Sequence, residues 1–216
     1  MINLYINGKS GKMGTVLYKL ISKDNNFSIS DNIDSADAVV DFSHPESTKR
    51  IIQESLTKNK PLVIGTTGLN KEILEDINKA SKILPIVHAA NMSIGIHQLK
   101  KSLKKFIRSN NKKINCVIEE VHHKKKIDKP SGTALEIEHL IVEEDKNKNI
   151  NLSDTVSIRE DDVNGIHKVT FTDNDGSFIF KHIAISRDIF GNGALHCVKK
   201  IIELEPDLYT FEKIIN

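Results

Sequence analysis

Short apolar runs alternate with longer amphipathic stretches through the first part of the chain. Four runs have the length and β-branched content of buried strands: Ile2–Asn7, Ala38–Phe42, Pro61–Ile64 and Pro85–Val87. A helical pattern, with a period of about 3.6 residues, follows each of them. This alternation predicts an α/β domain with a parallel sheet and helices on both faces. The turns at the carboxyl ends of its strands are candidate ligand sites.

Three of the predicted helices have recognisable starts. The first extends from about Lys12 to Ser22, directly after a glycine-rich turn. The second is predicted to begin with a capping box in which Ser43 is the N-cap and Glu46 the N3 residue, with Pro45 in the first turn. Asn70 is the predicted N-cap of the third, whose apolar residues share one face: Ile73, Leu74, Ile77 and Ala80.

The pattern changes after about residue 93, where strands begin to dominate. A helix over Ser93–Arg108 precedes predicted strands at Ile114–Val121, Thr155–Arg159, His167–Thr172 and Ser177–Ile185. Asn174–Gly176 is a hairpin turn between the last two strands. A helix over Thr133–Glu144 and a polar loop over 146–154 interrupt the series, so an α+β second domain is predicted. From Arg187 onward the pattern is helical again and could pack back on the first domain.

The composition excludes several classes of protein. Hydrophobic residues make up 38% of the 216 residues and charged residues 28%, which is typical of a globular protein rather than a disordered one. The 31 basic and 29 acidic side chains nearly cancel, to a net charge of +2, so no overall field favours nucleic acid or a membrane surface. Cys116 and Cys197 stand alone, which argues against a disulfide framework or a zinc knuckle. No signal peptide and no apolar run near the ~18 residues of a membrane span is recognisable, so a cytoplasmic protein is expected.

The segment GKSGKMG, residues 8–14, lies between a predicted strand and a predicted helix. In that context Gly8 can form the tight turn, Gly11 can let a pyrophosphate approach the backbone, and Gly14 can let helix and strand pack closely. The helix N-terminus would add free amides and a positive dipole for phosphates. The spacing is one residue longer than the usual dinucleotide fingerprint, so an ordinary glycine-rich turn is an equal alternative.

Nearby residues leave the identity of a bound nucleotide open. Lys9 and Lys12 could interact with a 2′-phosphate, whereas Asp31 could bind ribose hydroxyls or simply cap a turn. Two further strand ends carry small residues, Gly65–Thr67 and HAANMSIG at 88–95, where a ring or a ribose could approach the backbone. A plain loop and a plain helix N-cap are the alternative explanations of these two segments.

The segment IEEVHHKKKIDKPSGTAL, residues 118–135, combines two histidines, three lysines and a PSGT sequence. A shared metal ion is disfavoured because His122 and His123 are adjacent on a predicted strand and so point to opposite faces. Nucleic acid is disfavoured because the basic cluster is short and contains no aromatic residue. A solvated loop remains open, but Pro130–Thr133 has the features of a rigid helix start with free amides, which suits a carboxylate. With Lys126 and a histidine beside it, the segment could neutralise a dicarboxylate and hold a proton donor.

This segment resembles the E-x-H-H-x-x-K-x-D-x-P-S-G-T-A signature of the 4-hydroxy-tetrahydrodipicolinate reductase (dihydrodipicolinate reductase) family. Five more segments resemble motifs of that family in the same order: GKSGKMG, VVDFSHPE, VIGTTG, AANMSIGI and HIAISRDIFGNGAL. One glycine turn is a weak signal, but six ordered blocks span nearly the whole chain. The resemblance implies an NAD(P)H-dependent oxidoreductase that reduces 4-hydroxy-2,3,4,5-tetrahydrodipicolinate to 2,3,4,5-tetrahydrodipicolinate in the diaminopimelate pathway of lysine biosynthesis.

The resemblance also implies a role for each matching residue. His122 would be the proton donor, Lys126 a second catalytic group that holds a carboxylate, and His123 a substrate ligand. A carboxylate of the dicarboxylate substrate would be bound by Ser131, Gly132 and Thr133. The candidate contacts of NADH or NADPH are Gly8, Lys9, Ser10, Gly11, Lys12, Met13, Asp31, Gly65, Thr66, Thr67, Ala89, Ala90, Asn91 and Met92.

Family members are typically homotetramers that close one domain on the other. The resemblance therefore implies a dinucleotide-binding domain over residues 1–93, completed by 188–216, and a substrate-binding and oligomerisation domain over 94–187. Residues 24–37 form a shorter segment than in longer family members, so the role of Asp31 and the preference between NADH and NADPH stay open.

Two other functions remain open. The chain could be another Rossmann-type oxidoreductase, against which the HH–K–PSGT block argues. It could also be a non-catalytic nucleotide-sensing relative, against which the intact His122 and Lys126 argue. Lys124 and Lys125 are expected to be merely solvated.

Overall fold

The computed structural model describes residues 1–124, 126–161 and 163–216. This part of the chain divides into two compact units, one formed by Met1–Ile94 with Arg187–Asn216 and the other by Gly95–Ser186. In chain order the elements are β1 (Ile2–Asn7), α1 (Lys12–Ile21), β2 (Phe27–Ile29), β3 (Ala38–Asp41), α2 (Pro45–Lys58), β4 (Leu62–Ile64), α3 (Lys71–Ala80), β5 (Ile86–His88), α4 (Ile94–Ser109), β6 (Ile114–His123), α5 (Gly132–Glu144), β7 (Ile150–Leu152), β8 (Val156–Glu160), β9 (Ile166–Asp173), β10 (Gly176–Ile183), α6 (Asp188–Ile201), β11 (Leu208–Tyr209) and α7 (Phe211–Ile215).

The first unit is built on a parallel sheet with strand order β11–β5–β4–β3–β1–β2. Alternate residues of each strand enter different cores: Val40 and Val63 pack with α1 and α6, whereas Val39 packs with α2 and α3. Both faces are therefore covered, which explains why these strands are short and apolar throughout. The predicted α/β domain with a parallel sheet is confirmed.

The chain changes direction across this sheet between β1 and β3. From β1 it moves to one edge to form β2, and then returns past β1 to build the opposite side from β3 onward. Such a switch point opens a crevice at the carboxyl ends of the two strands, where doubly wound proteins bind ligands. Gly8 follows β1 at this end, and Asp41 is the last residue of β3.

One predicted helix start was wrong in its details. The N-cap of α2 is His44 rather than Ser43, and the His44 ring accepts a hydrogen bond from the Ser47 amide over 3.4 Å. Pro45 occupies the first turn as predicted. Ser43 does not cap because its hydroxyl donates to Oδ1 of Asp41 over 2.6 Å, two residues earlier in the chain. Asn70 caps α3 as predicted, accepting from the amide of Ile73.

Two short strands lie in segments that were expected to have another structure. β7 lies in the segment 146–154, which was expected to be a polar loop, and it pairs parallel to β6 with Ile150 opposite Ile114. The turn before it is held by Asp145, whose carboxylate accepts from the amides of Asn149 and Ile150. β11 lies in the tail that was expected to be helical, and it pairs parallel to β5. Both strands are too short to give a periodic signal.

The second unit is a mixed sheet with β6 at its centre. β7 and β8 pair parallel to β6, β9 pairs antiparallel to it, and β10 forms the predicted hairpin with β9 around Asn174 and Asp175. Helices α4 and α5 cover one face through a core that includes Leu103, Ile137 and Phe171. Side chains of the other face remain exposed, which confirms an α+β unit open on one side.

No helix of the described residues is long and apolar enough to span a membrane.

Candidate active site

The glycine-rich turn after β1 has the predicted form. Gly8 has a φ of +85°, and a β-carbon there would lie 2.4 Å from the carbonyl oxygen of Phe42, so only glycine fits. The amide of Gly11 donates to the Gly8 carbonyl over 2.9 Å and closes the turn. Helix α1 then starts at Lys12 with Gly11 as its N-cap, and its first turn contains no acidic residue. Its first amides and positive dipole therefore remain available for an anion such as a pyrophosphate.

The neighbouring candidate residues lie at the same edge of the sheet. Lys9, Ser10, Gly11 and Lys12 are exposed, and Met13 is half-buried. Asp31 is also exposed, two residues beyond the end of β2. Because β2 is parallel to β1, Asp31 and the glycine turn follow strand ends on the same side.

The GTTG loop follows β4 and is held from beneath by Asp41. Thr66 is buried, and its hydroxyl donates to Oδ2 of Asp41 over 2.9 Å while accepting from the Ser43 amide over 2.9 Å. The Thr66 side chain is thus engaged within the fold, whereas Thr67 is exposed. Gly65 packs against the ring of Phe42, where a β-carbon would lie 2.1 Å from a ring carbon.

Asp41 is fully buried and accepts hydrogen bonds from four neutral groups. Asn7 and Ser43 donate to Oδ1 over 2.7 and 2.6 Å, and Thr48 and Thr66 donate to Oδ2 over 2.5 and 2.9 Å. These donors come from β1, the β3–α2 turn, α2 and the GTTG loop. One carboxylate therefore joins three candidate ligand-binding turns, and sequence reasoning missed it. The available signal was an acidic residue inside the apolar run AVVDF.

The last candidate segment of this unit follows β5. The amide of Ala89 donates to the Ile64 carbonyl over 3.1 Å and continues the parallel pairing of β4 and β5. Ala90 is exposed, Asn91 is half-buried with its side chain accepting from the Ser93 amide over 2.8 Å, and Met92 is buried. The structure thus brings the four predicted cofactor segments to the carboxyl edge of one sheet.

In the second unit, the alternation of β6 separates the two adjacent histidines. His122 and Glu120 lie on the buried face, whereas His123 lies on the opposite face and is half-buried. Nδ1 of His122 forms a short hydrogen bond with Oε2 of Glu120. Since an ionised carboxylate only accepts, Nδ1 carries the proton of the neutral ring and Nε2 is the atom that can take up or release one.

Arg159 completes the buried charge cluster around Glu120. It lies on β8 directly opposite His122, and its Nη1 is 2.8 Å from Oε1 of Glu120. The Glu120 side chain has no exposed surface and that of Arg159 is 7% exposed, so the ion pair is shielded from water. Burial raises the pKa of Glu120, but Ser157, Arg159 and His122 together hold it below its usual range.

The pKa of His122 lies below its ordinary value. Burial is the largest cause, Glu120 opposes it, and the positive charges of Lys126 and Arg159 lower the pKa further. A protonated His122 would therefore release its proton readily.

Lys126 lies in the loop after β6. Its Nζ is 2.9 Å from Oδ1 of Asp128, and its side chain is 25% exposed, so it is accessible to a ligand. Burial raises the pKa of Asp128, but Lys126 holds it below its usual range. Lys124 is exposed and pairs with Asp161, and Lys125 lies outside the described residues.

The PSGT sequence forms the start of α5 as predicted. Ser131 is the buried N-cap, and its hydroxyl accepts from the Ala134 amide over 3.3 Å. Gly132 is exposed and Thr133 is half-buried, and the first turn of α5 contains no acidic residue. The Gly132 amide contacts the carboxylate of Asp128, so this helix start already interacts with one carboxylate and can hold a ligand carboxylate in its place.

His167 was missed by sequence reasoning, yet it lies between the histidine and the helix start. Its Nε2 is 3.2 Å from Oγ of Ser131, and its ring meets that of His122 edge-on with centroids 5.1 Å apart. Burial lowers the pKa of His167 to about 3, with the charge of His122 as a second cause, so His167 is neutral at physiological pH. Glu120 and Arg159 were also missed.

No group of three or more potential ligands among His, Cys, Asp and Glu is placed to hold a metal ion in the described part of the chain. The arrangement of His122, Lys126 and the start of α5 is suited to proton transfer beside a bound anion.

Comparisons with known proteins agree with this arrangement. The family model "Dihydrodipicolinate reductase, N-terminus" matches residues 28–92, and "Dihydrodipicolinate reductase, C-terminus" matches residues 95–215. The 4-hydroxy-tetrahydrodipicolinate reductase of Alkaliphilus oremlandii is 33% identical over 238 residues, covering 100% of this chain and 99% of that protein. The enzyme of the same name from Caldanaerobacter subterraneus is 34% identical over 252 residues, with the same coverage.

The fold is similar to that of a dipicolinate-bound dihydrodipicolinate reductase from Paenisporosarcina. The two chains cover each other completely with a TM-score of 0.80 at 21% sequence identity. A family model that spans more than half of the chain, together with relatives above 30% identity over its full length, shows the family. The chain belongs to the dihydrodipicolinate reductase family, whose members are also named 4-hydroxy-tetrahydrodipicolinate reductases.

Proposed function

We propose that the protein reduces 4-hydroxy-2,3,4,5-tetrahydrodipicolinate to 2,3,4,5-tetrahydrodipicolinate with NADH or NADPH, in the diaminopimelate pathway of lysine biosynthesis. The observation that carries the proposal is His122, a buried histidine with a depressed pKa, on the same unit as Lys126 and the N-terminus of α5. Together they provide an acid and two ways to hold a carboxylate, as a reaction on a dicarboxylate requires.

The substrate is held by its carboxylates. The start of α5 at Gly132 and Thr133 would bind one carboxylate in place of the Asp128 carboxylate, which the Gly132 amide contacts in the free protein, and Nζ of Lys126 would exchange its contact with Asp128 for the same group. His123, the last residue of β6, would bind the substrate from the end of that strand. Ser131 contributes by capping α5 from a buried position rather than through its hydroxyl, which is already shared with Ala134 and His167.

The proton step falls to His122. Loss of the 4-hydroxyl group as water, together with a hydrogen of an adjacent ring carbon, would leave an unsaturated ring, and a reduced nicotinamide held by the first unit would supply a hydride at C4 of that ring. A carbon atom of the resulting enamine takes a proton from Nε2 of His122. The imidazole of His122 later regains a proton from water. Lys126 stabilises the negative charge of the bound dicarboxylate and also favours proton release from His122.

The first unit fits a nicotinamide dinucleotide. The Gly8 turn leaves no room for a side chain, the start of α1 has free amides, and the strand order places both at a switch point. The residues that would hold the dinucleotide are those of the glycine turn, Asp31, Gly65–Thr67 and Ala89–Met92. Asp31 favours free ribose hydroxyls, whereas Lys9 and Lys12 favour a 2′-phosphate, so both NADH and NADPH are proposed as donors.

Assembly into a homotetramer is proposed for the open face of the second sheet. Ile183, Ile166, Val121 and Ile158 lie side by side across four strands in register. Ile183 is 50% exposed and Ile158 is 36% exposed. An apolar row of this kind is typical of a surface covered by another subunit. The domain roles follow, with residues 1–93 and 188–216 binding the dinucleotide and 94–187 binding substrate and partner subunits in the cytoplasm.

The assembly can be tested by sedimentation equilibrium. We expect the wild-type protein to have four times the chain mass of 24.2 kDa. Ile158→Glu should lower that mass, whereas Ile83→Glu, at an exposed isoleucine of the first unit, should leave it unchanged. A wild-type mass equal to that of one chain would contradict the tetramer.

The activity is tested by coupling the protein to the upstream synthase. Aspartate semialdehyde and pyruvate are mixed with that synthase, and the loss of NADH or NADPH is followed by absorbance. No consumption above background with either donor would exclude the reductase function. His122→Gln should lower kcat by roughly 10²- to 10⁴-fold, as expected for loss of a general acid. His139→Gln, at a histidine on α5 that takes no part in the proposed site, is the matched control.

A further inference from the structure

We propose that Glu120 and Arg159 are positioning residues of this reductase, with Glu120 fixing the ring of His122 and Arg159 joining Glu120 to the loop that carries Lys126. The inference rests on the proposed function, because it concerns how the proton donor and the carboxylate-binding lysine are held together. Neither residue is expected to touch the substrate, since both are buried beneath His122.

Glu120 determines which nitrogen of His122 faces the reaction. Its carboxylate accepts from Nδ1, which leaves Nε2 on the opposite edge of the ring. That edge lies against the backbone of Gly165, where a β-carbon would be 3.2 Å from Nε2. The Nε2 atom therefore borders a residue without a side chain, and a larger residue at position 165 would crowd it. A carboxylate in this position also stabilises the imidazolium that must exist before proton transfer.

Arg159 makes contacts in two directions from one guanidinium group. Nη1 lies 2.8 Å from Glu120, while Nε donates to the Lys126 carbonyl over 3.4 Å and Nη2 donates to the Asp128 carbonyl over 2.5 Å. The donors of a guanidinium point in fixed directions within one plane. The position of Glu120, and with it His122, is therefore tied to the backbone at Lys126 and at Asp128.

The charges around His122 are balanced by the same pair. Glu120 on β6, Arg159 on β8, Lys126 in the following loop and the neutral His167 on β9 surround the ring. Without Arg159, a buried carboxylate with no compensating cation would lie against His122 and make its imidazolium a weaker acid. Without Glu120, two cations would act on His122 unopposed and its proton would be lost at lower pH.

The experiment compares pH profiles of kcat and KM for Glu120→Gln, Arg159→Met and Arg159→Lys. Glu120→Gln should move the high-pH decline of kcat down by about one pH unit, and so lower kcat about tenfold above that pH, with little change in KM. Arg159→Met should move the decline upward and raise KM for the substrate about tenfold. Arg159→Lys should restore the pH profile through its charge but not KM, because an ammonium cannot reach both carbonyls and Glu120.

Glu119→Gln is the matched control for Glu120. Glu119 precedes it on β6, lies on the opposite face, and pairs with Lys168 over 2.6 Å at about one-third exposure. Its kcat and pH profile should stay within about twofold of wild type, as for a solvent-exposed pair. Glu120→Asp keeps the negative charge but moves the carboxylate away from His122, because the aspartate side chain is shorter. This variant replaces Glu120→Gln in the experiment if Glu120→Gln does not fold. It should lower kcat without moving the pH decline.

A spectroscopic measurement separates this inference from the proposed function. Nitrogen NMR of labelled histidine should show His122 protonated at Nδ1 in the wild type and a mixture of tautomers in Glu120→Gln. A wild type that fails to consume NADH or NADPH would remove the function while leaving this readout intact. The inference is overturned if Glu120→Gln retains wild-type kcat and pH profile, or if Arg159→Met leaves KM unchanged.

Discussion

The hydroxyl of Thr66 donates to Asp41 over 2.9 Å and is buried, while the next residue, Thr67, is exposed. Thr66→Val should therefore lower the free energy of unfolding by about 1–3 kcal/mol, because Asp41 loses a donor and the Ser43 amide loses its acceptor. Thr67→Val makes the same chemical change in the same loop and should cost less than about 0.5 kcal/mol. Urea unfolding without nucleotide measures both. Equal costs would show that the Asp41 network does not stabilise this loop.

Gly8 and Gly68 both have a positive φ, of +85° and +74°, but only Gly8 is crowded. Gly68→Ala should cost about 1 kcal/mol from backbone strain alone, since a β-carbon there meets nothing within 4 Å. Gly8→Ala adds a collision with the Phe42 carbonyl and should cost roughly 3 kcal/mol or more. The difference is measured by urea unfolding. A Gly8→Ala variant no less stable than Gly68→Ala would contradict the tight turn.

His167 should make the protein less stable in acid. Its pKa is about 3 in the folded state against 6.5 as its ordinary value, so the unfolded chain binds the extra proton. The contribution of neutral His167 to the free energy of unfolding is fully present above pH 6.5 and is lost as the pH falls from 6.5 towards 3. The loss amounts to about 2 kcal/mol at pH 5. Urea unfolding at pH 7 and pH 5 measures the loss.

His167→Asn isolates this contribution from those of other histidines. The variant should be less stable than wild type at pH 7, because it loses buried packing around Ser131. Its further loss between pH 7 and pH 5 should be about 2 kcal/mol smaller than that of the wild type. If wild type and His167→Asn lost the same free energy of unfolding between pH 7 and pH 5, His167 would be protonated within the folded protein.

Both cysteines should be unreactive in the folded protein. Burial raises the pKa of the Cys116 and Cys197 thiols to about 12, and neither side chain is exposed. At pH 8 almost no thiolate is present to react. Ellman's reagent should therefore label neither thiol in the native state and both in urea. Rapid native labelling of either one would place it in a part of the fold that opens easily.

The sequence identified the elements whose signal is local. The apolar runs predicted four strands of the first sheet, β1, β3, β4 and β5, because both faces of the sheet are covered, and Asn70 was found as a cap because its acceptor role depends on the next three residues. Ser43 was misassigned because its hydroxyl donates to the nearby Asp41, whose role as a buried acceptor depends on donors from distant segments such as Asn7 and Thr66. β7 was missed because it pairs with β6, which is distant in the sequence.

The residues of the candidate site likewise divide into those carried by a local motif and those that depend on contacts between distant segments. His122 and Lys126 were predicted because a motif carries them, and the structure adds the geometry of their surroundings. Arg159 could not be predicted, because its contact with Glu120 depends on the register between β6 and β8. Glu120 left one usable signal, since it lies two residues before His122 and therefore on the same strand face.

Because successive residues of β6 face opposite sides of the sheet, insertions and deletions within this strand should be selected against during evolution. Glu120 and His122 face the helix-covered core, whereas Glu119 and Val121 face the open side of the sheet. Inserting or deleting one codon within β6 would exchange the two sets at once, burying an ion-pair partner and expelling the histidine. Changes of length should therefore be tolerated only outside this strand, in segments such as 24–37, while β6 itself changes by substitution alone.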